Sequence, residues 1–422
     1  MKKRNKKHEK RMKKLIVGCG LCAIMLTVAT YAWFIGMKTV NVSSFDVEIA
    51  AIDSLLLSLD GETWDDEVQI NKSNYTLAGT EYANNTNSWG GTGLIPMSTV
   101  GKINKTSSRL TLYEKGSLTE TPGGYRIMAS EVENTGTTEA NGYVVFDLFI
   151  KNLSGNEYYK DLSDLNEEAI YLTSDSKVTG GTTGAENTGI ENSVRVAFAQ
   201  IGRVKATLGK TEEERKIITG ISCTSDTNVT GICEDRDAQI WEPNDTKHVQ
   251  NAINWYNTSC LKRSAADLTL DASYGEKCNT IVNGQSYQTY AVGKVIDYTD
   301  RVDVYDGAAY NGYTESITKG SLVAYPYFTD TMKNKLGTER PTFITLAPNS
   351  ITKVRIYVFI EGQDVDNYDF ASLGKKISVS FGFTKERFYD KDVNYDSTNT
   401  ATLPDDVIKD KHWTAITTAG DN

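Results

Sequence analysis

The chain has 422 residues, 39% of them hydrophobic and 10% aromatic, which is enough to build a sizeable core and too apolar for a disordered polymer. Its formal charge of −10 is unevenly placed: the first fourteen residues hold nine of the 45 Lys/Arg and one of the 55 Asp/Glu, so they carry +8 and the remaining body −18. A body this acidic repels phosphate backbones, which argues against nucleic acid as a partner.

Residues 1–14 form a basic region placed where positive-inside topology puts a cytoplasmic segment. Residues 15–37 follow without a single charge, and 23 residues exceed the roughly 7–15 of a signal h-region and match the roughly 20 of a spanning helix. Length thus favours a retained membrane anchor. Small residues at Ala29 and Ala32, with Thr27 and Thr30 two places before them, offer a signal peptidase two cleavage positions. Either outcome exports the body, to the cell surface or the extracellular space.

The period then changes. Val40 and Val42, then Phe45, Val47 and Ile49, alternate like a strand, with a phase slip at Ser43 and Ser44 that a bulge absorbs. If the chain is cut at an alanine, this strand lies beside the new N-terminus as an edge ready to pair with another subunit. "SLLLSLDGETW" reads as a strand entering a turn at Asp60 and Gly61. Further strands are predicted at "YRIMASEV" (125–132), "GYVVFDLFIKN" (142–152), "SVRVAFAQI" (193–201), "KVRIYVFIEG" (353–362) and "KKISVSFGF" (375–383). In the last, Ile377, Val379, Phe381 and Phe383 share one face and Ser378, Ser380 and Gly382 the other. The expected fold is mainly β, an antiparallel sandwich or jelly roll, with residues 38–201 and 353–387 as its core.

Residues 202–352 differ in character and are expected to form a partly helical insertion. "KTEEERKII" has the acidic first turn of a short helix. "NDTKHVQNAINWYN" spaces Val249, Ala252, Ile253 and Tyr256 as one helical face, with Asn244 or Asp245 as its cap. Four cysteines fall here: Cys223, Cys233, Cys260 and Cys278. In an exported domain they imply two disulfides with three possible connectivities, nearest-neighbour pairing being preferred. The separations of these four contain no Cys-x-x-Cys pair, so zinc is a poor alternative. Residues 388–422 lose periodicity and are expected to be a loosely ordered tail.

Several pieces together resemble the exported β-sandwich proteins of Gram-positive bacteria related to TasA and camelysin, the biofilm-matrix fibre group. They are "ATYAWF" with "SFDVEIA", "SLDGETW", "LIPMSTV", "VRVAFAQ", and "VRIYVFIEGQDVDN" followed by "ISVSFGF". The cysteine-bearing segment and the length of the apolar run depart from that pattern. The resemblance implies a surface or matrix protein that assembles with copies of itself by exchanging an edge strand.

Catalytic patterns are missing. With three histidines, His8, His248 and His412, the chain has no H-E-x-x-H, no G-x-S-x-G and no phosphate-binding loop. His248 reads as a helix-surface residue. Asp364, Asp366 and Asp369 in "EGQDVDNYD" offer oxygens to calcium but lack the glycine and terminal glutamate of a calcium-binding loop, so an ordinary loop is the simpler reading. "DYTDRVDVYDG" (297–307) is a weaker case. The expectation is a structural protein, not an enzyme, with no cofactor and with self-association as its main interaction. A surface adhesin recognising glycan or host protein through the insertion is the alternative.

Overall fold

The computed structural model describes residues 42–51, 55–70, 93–121, 124–132, 139–154, 157–163, 167–181, 188–266, 281–286, 328–335, 341–362, 364–368, 375–385, 394–395 and 401–402. The basic region, the apolar run with Ala29 and Ala32, Val40, Cys278, residues 297–307, Asp369 and most of 388–422 lie outside the described residues.

The chain is mainly β. The strands β1 (Val42–Ala51), β2 (Leu55–Ser58) and β3 (Glu67–Ile70) come first. A meander of β4 (Pro96–Asn104), β5 (Arg109–Thr121) and β6 (Gly124–Glu131) follows. Next are β7 (Val144–Asn152), β8 (Glu168–Leu172), β9 (Lys177–Gly181) and β10 (Val194–Lys205). Helix α1 (Glu212–Thr219), β11 (Thr230–Gly231), β12 (Gln239–Glu242) and helix α2 (Gln250–Ala266) lead on to β13 (Phe328–Thr329) and β14 (Ile344–Leu346). The long strands β15 (Ser350–Glu361) and β16 (Lys375–Lys385) complete the two main sheets.

The smaller sheet has the order β14-β8-β16-β1-β3, with β9 also on β16. The larger runs β13-β12-β10-β15-β4-β5-β6, with β7 on β15, β2 on β7 and β11 on β10. One hydrophobic cluster joins the two. It takes Val354, Ile356, Val358 and Ile360 from β15 and Val144, Phe146, Leu148 and Ile150 from β7. Against them come Val47 and Ile49 from β1 and Ile377, Val379, Phe381 and Phe383 from β16. The ring of Phe198 meets Phe343 and Phe381 edge-on at 4.2 and 5.2 Å, an arrangement aromatic quadrupoles favour. Alternation thus sorts β16 as its sequence implies.

The central strands of the larger sheet are buried on both faces. On β15 the other face carries Lys353, Arg355, Tyr357 and Phe359, and the two aromatics join a second cluster with Ala197, Ala199 and Ile201 of β10 and with Ile218 of α1. Helix α1 starts where its sequence says it should. Thr211 accepts the Glu214 N–H, and the Glu214 carboxylate accepts the Thr211 N–H, which closes a capping box.

Four expectations need correction. The ladders are not uniformly antiparallel: β1 with β16, β4 with β15, and β12 with β13 are parallel. Strand β1 is not an edge. It lies between β16 and β3, and its register with β16 shifts between Val42 and Ser44. Residues 202–352 are not set apart from the core. Strand β10 runs on to Lys205, β12 pairs with β10, and β14 pairs with β8. Short strands carry too few residues for a period to register, which is why this segment reads as foreign. Finally, neither Asn244 nor Asp245 caps α2. The Val249 N–H is instead accepted by the distant Asp366 at 2.9 Å, and Val249, Ala252, Ile253 and Tyr256 pack on the first cluster as their spacing predicts.

Candidate functional site

Three arrangements stand out: the slot that holds β1, a buried ionic hub at the start of β10, and two clefts. Strand β1 pairs with β16 along its whole length and with β3 over Val47 to Ala50. Val47 and Ile49 are buried to 1% and 0% exposure, so of the assembly residues expected from sequence these two fill the core. Val42 and Phe45 sit in the same ladder, opposite Lys375 and Ile377. Burying two such side chains contributes roughly 3–6 kcal/mol, so β1 is a strongly held element.

The hub begins at Arg195. Its Nε donates to Glu242 Oε1 at 2.6 Å, its Nη2 to Asp364 Oδ2 at 2.6 Å, and its Nη1 to the carbonyls of Asn192 and Val194. Asp364 also accepts from Ser193 Oγ and from the Asp366 N–H. Arg195, Glu242 and Asp364 are all buried, and the fork of donors gives each carboxylate its own arm. Asp366 continues the chain of contacts: its Oδ2 lies 2.8 Å from His248 Nδ1, and Nε2 of that ring lies 3.0 Å from the Gln285 carbonyl. Gly189, at φ +80, lets the backbone pass here, because a Cβ on it would come within 2.6 Å of Asp366 Oδ1.

His248 is therefore buried just ahead of α2 rather than on a helix surface. Burial by itself lowers its pKa, but the Asp366 hydrogen bond and the charges of Asp366 and Asp364 raise it on balance. Burial pushes Asp366 up to about 6, helped by Asp364 and opposed by the His248 hydrogen bond. Both ring nitrogens are engaged, so His248 clamps three segments together and presents no nitrogen to a substrate. Asp364 and Asp366 give their oxygens to Arg195, Ser193, His248 and backbone N–H groups, which accounts for two of the calcium candidates. Among the described residues no group of three or more His, Cys, Asp or Glu could hold a metal.

Two further ionic clusters stiffen the sheets. Asp147 takes Arg355 Nε at 2.8 Å and Nη2 at 3.2 Å, with Lys353 Nζ at 3.1 Å. Burial tends to raise Asp147, yet the Arg355 and Lys353 charges hold it below the usual aspartate range. Glu167 receives Arg236, Arg203 and the Thr345 hydroxyl, and the Arg236 and Thr345 hydrogen bonds with the two guanidinium charges outweigh its burial and lower its pKa.

Of the clefts, one of about 360 Å³ is lined by Asn251, Asn254, Trp255 and Thr258 of α2 with Tyr368. The other, of about 290 Å³, opens beside β12 and β14, with Gln200, Arg236 and Thr345 among its walls. Cys223 and Cys233 form a buried disulfide, as nearest-neighbour pairing expects. Cys260 falls on α2, but its side chain and Cys278 lie outside what is described. Among the described residues no helix is long and apolar enough to cross a membrane. Arg195, Glu242 and Gln285 were invisible as site residues in the sequence, since only the fold brings positions so far apart together.

No family model matches the chain, and no curated protein or solved structure does.

Proposed function

We propose that this chain is an exported or membrane-anchored surface protein of β-sandwich architecture that builds fibres or matrix by associating with copies of itself. The observation that carries this reading is β1. It follows directly on the basic and apolar leader, it fills the core with Val47 and Ile49, and only residues 52–54 separate it from β2 in the other sheet. A strand held by so short a link can be supplied by a neighbouring copy, which would bury the same side chains in the same slot. The large ionic hub supports a scaffold role too, since its groups are consumed by one another.

The test is the size distribution of the full-length chain, purified in mild detergent and viewed by electron microscopy across a concentration series. Oligomers or fibres that grow with concentration are expected, and Ile49→Asp should abolish them while leaving chains that carry the substitution on exposed Leu153 unaffected. A wild-type chain that stays monomeric at high concentration would sink the proposal.

A second reading, a binding module for glycan or host protein, draws on the α2 cleft. Two amides, a hydroxyl and two aromatic rings are a suitable lining for a sugar face. A glycan array with the full-length chain and with Trp255→Ala decides it, and equal signals would remove its basis.

A further inference from the structure

Where β7, β8 and β16 end, three side chains of complementary reactivity meet in a dry place. Asn152 closes β7 in the larger sheet, Glu168 opens β8 and Lys385 closes β16 in the smaller one. Asn152 is 0% and Glu168 6% exposed, and the Lys385 side chain is 12% exposed. Lys385 Nζ lies 3.3 Å from Asn152 Oδ1 and 3.4 Å from Glu168 Oε2. The same carboxylate oxygen accepts a hydrogen bond from Asn152 Nδ2. Asn152 Oδ1 also accepts the Ser154 N–H at 3.2 Å, and Nδ2 donates a second time, to the Ala347 carbonyl at 3.2 Å.

We propose that Lys385 and Asn152 join in an intramolecular amide crosslink between the two sheets, with Glu168 moving the protons. The parts are those the reaction needs. An amine is nucleophilic once it loses a proton, and Glu168 Oε2 is placed to take it. Nζ then adds to Asn152 Cγ, the carbon bonded to the oxygen that Nζ already contacts at 3.3 Å, so that the fold has brought the two reacting groups together beforehand. The Ser154 N–H on Oδ1 stabilises the negative charge that develops there. Glu168 passes a proton to Nδ2 while taking one from Nζ, the Cγ–Nδ2 bond breaks, and ammonia leaves. Glu168 hands this second lysine proton to the departing ammonia, which leaves as ammonium ion; the third stays on the new amide N–H, Glu168 ends as carboxylate, and one Nζ–Cγ amide has formed. No oxidant, reductant or cofactor enters the balance.

Lys353 and Asp147 form a similar-looking contact but differ in the acceptor. Arg355 keeps Asp147 an anion by two hydrogen bonds, and a carboxylate so held is a poor electrophile. Among the described residues the primary amide of Asn152 faces no such cation besides the lysine itself. The selectivity therefore comes from what surrounds the acceptor.

The test is mass spectrometry of the full-length chain, unfolded, reduced and corrected for its observed N-terminus. The expected mass is one ammonia below that of the sequence, and trypsin should yield a branched peptide joining the stretch with Asn152 to that with Lys385, uncut at Lys385. Glu168→Gln, similar in shape but unable to take the proton, should restore the full mass in a chain whose far-ultraviolet spectrum is unchanged. Wild-type chain of full mass with linear peptides, or an ammonia loss without the branched peptide, would overturn the proposal and leave the trio a hydrogen-bonded ion pair. The readout is independent of whether copies associate.

Discussion

His248 and Asp366 meet at 2.8 Å in an arrangement that holds only while the pair carries a proton. The ring has a carboxylate at Nδ1 and the Gln285 carbonyl at Nε2, two acceptors for which a neutral imidazole has one donor. Either an imidazolium facing a carboxylate or a neutral ring facing a carboxylic acid satisfies both contacts. Both folded-state pKa values are raised, Asp366 from 3.8 to about 6 and His248 above 6.5, so the folded chain binds protons more tightly than the unfolded one. Stability from this pair is full at the acid side and is lost as pH rises from 3.8 through those raised values. The urea midpoint of wild type should therefore fall more steeply over that window than that of Asp366→Asn, which removes the carboxyl whose raised value drives the loss; parallel curves would contradict the clamp.

Removing Arg195 should be costly. Arg195→Met removes the guanidinium from the buried carboxylates Glu242 and Asp364, and breaking a buried pair from one side costs about 3–5 kcal/mol. The triple change Arg195→Met, Glu242→Gln, Asp364→Asn should recover part of that loss in the same denaturation experiment. A single substitution with a cost near zero would mean the hub is looser than its distances imply.

Acid works through other groups. Asp147 and Glu167 have lowered folded-state values, so they contribute stability above their ordinary 3.8 and 4.5 that is lost as pH falls through the folded values. Asp147→Asn, measured by thermal melting, should flatten the acid limb of the stability curve and lower the neutral plateau.

The Cys223–Cys233 bridge closes a ten-residue separation, for which chain entropy predicts about 2–3 kcal/mol. Replacing both with Ser should cost that much in urea midpoint without changing the far-ultraviolet spectrum. Gly231→Ala should be at least as harmful, because the new Cβ would lie 1.7 Å from the Cys223 carbonyl oxygen.

At α1, Thr211→Ala should cost about 1 kcal/mol by opening the capping box, and Thr211→Ser should cost little. Amide exchange at Glu214, whose N–H the Thr211 hydroxyl accepts, reports the loss directly.

Much of the frame was legible because it rests on period. The alternation in 375–383 placed Ile377, Val379, Phe381 and Phe383 in the core, and the acidic first turn located α1. Strand β15 was legible as a strand, but its length hid that Lys353 and Arg355 face inward, because their partner Asp147 comes from a strand some two hundred residues earlier. The direction of β1 was not legible either, since a parallel or antiparallel ladder needs the same side-chain alternation. His248 reads as a surface residue from helical phase alone, and only the Asp366 loop, brought over by β15, turns it inward.

The parallel pairing of β1 and β16 has a mechanical consequence. Their paired positions run in the same direction from Val42 and Lys375 to Ala51 and Phe383. A pull entering before Val42 and leaving after Lys385 therefore acts along the strands in opposite senses. Every hydrogen bond of the ladder is loaded together in shear, whereas antiparallel neighbours pulled from the same end would unzip one bond at a time. A chain tethered at its N-terminus and gripped beyond β16 would resist tension as a unit.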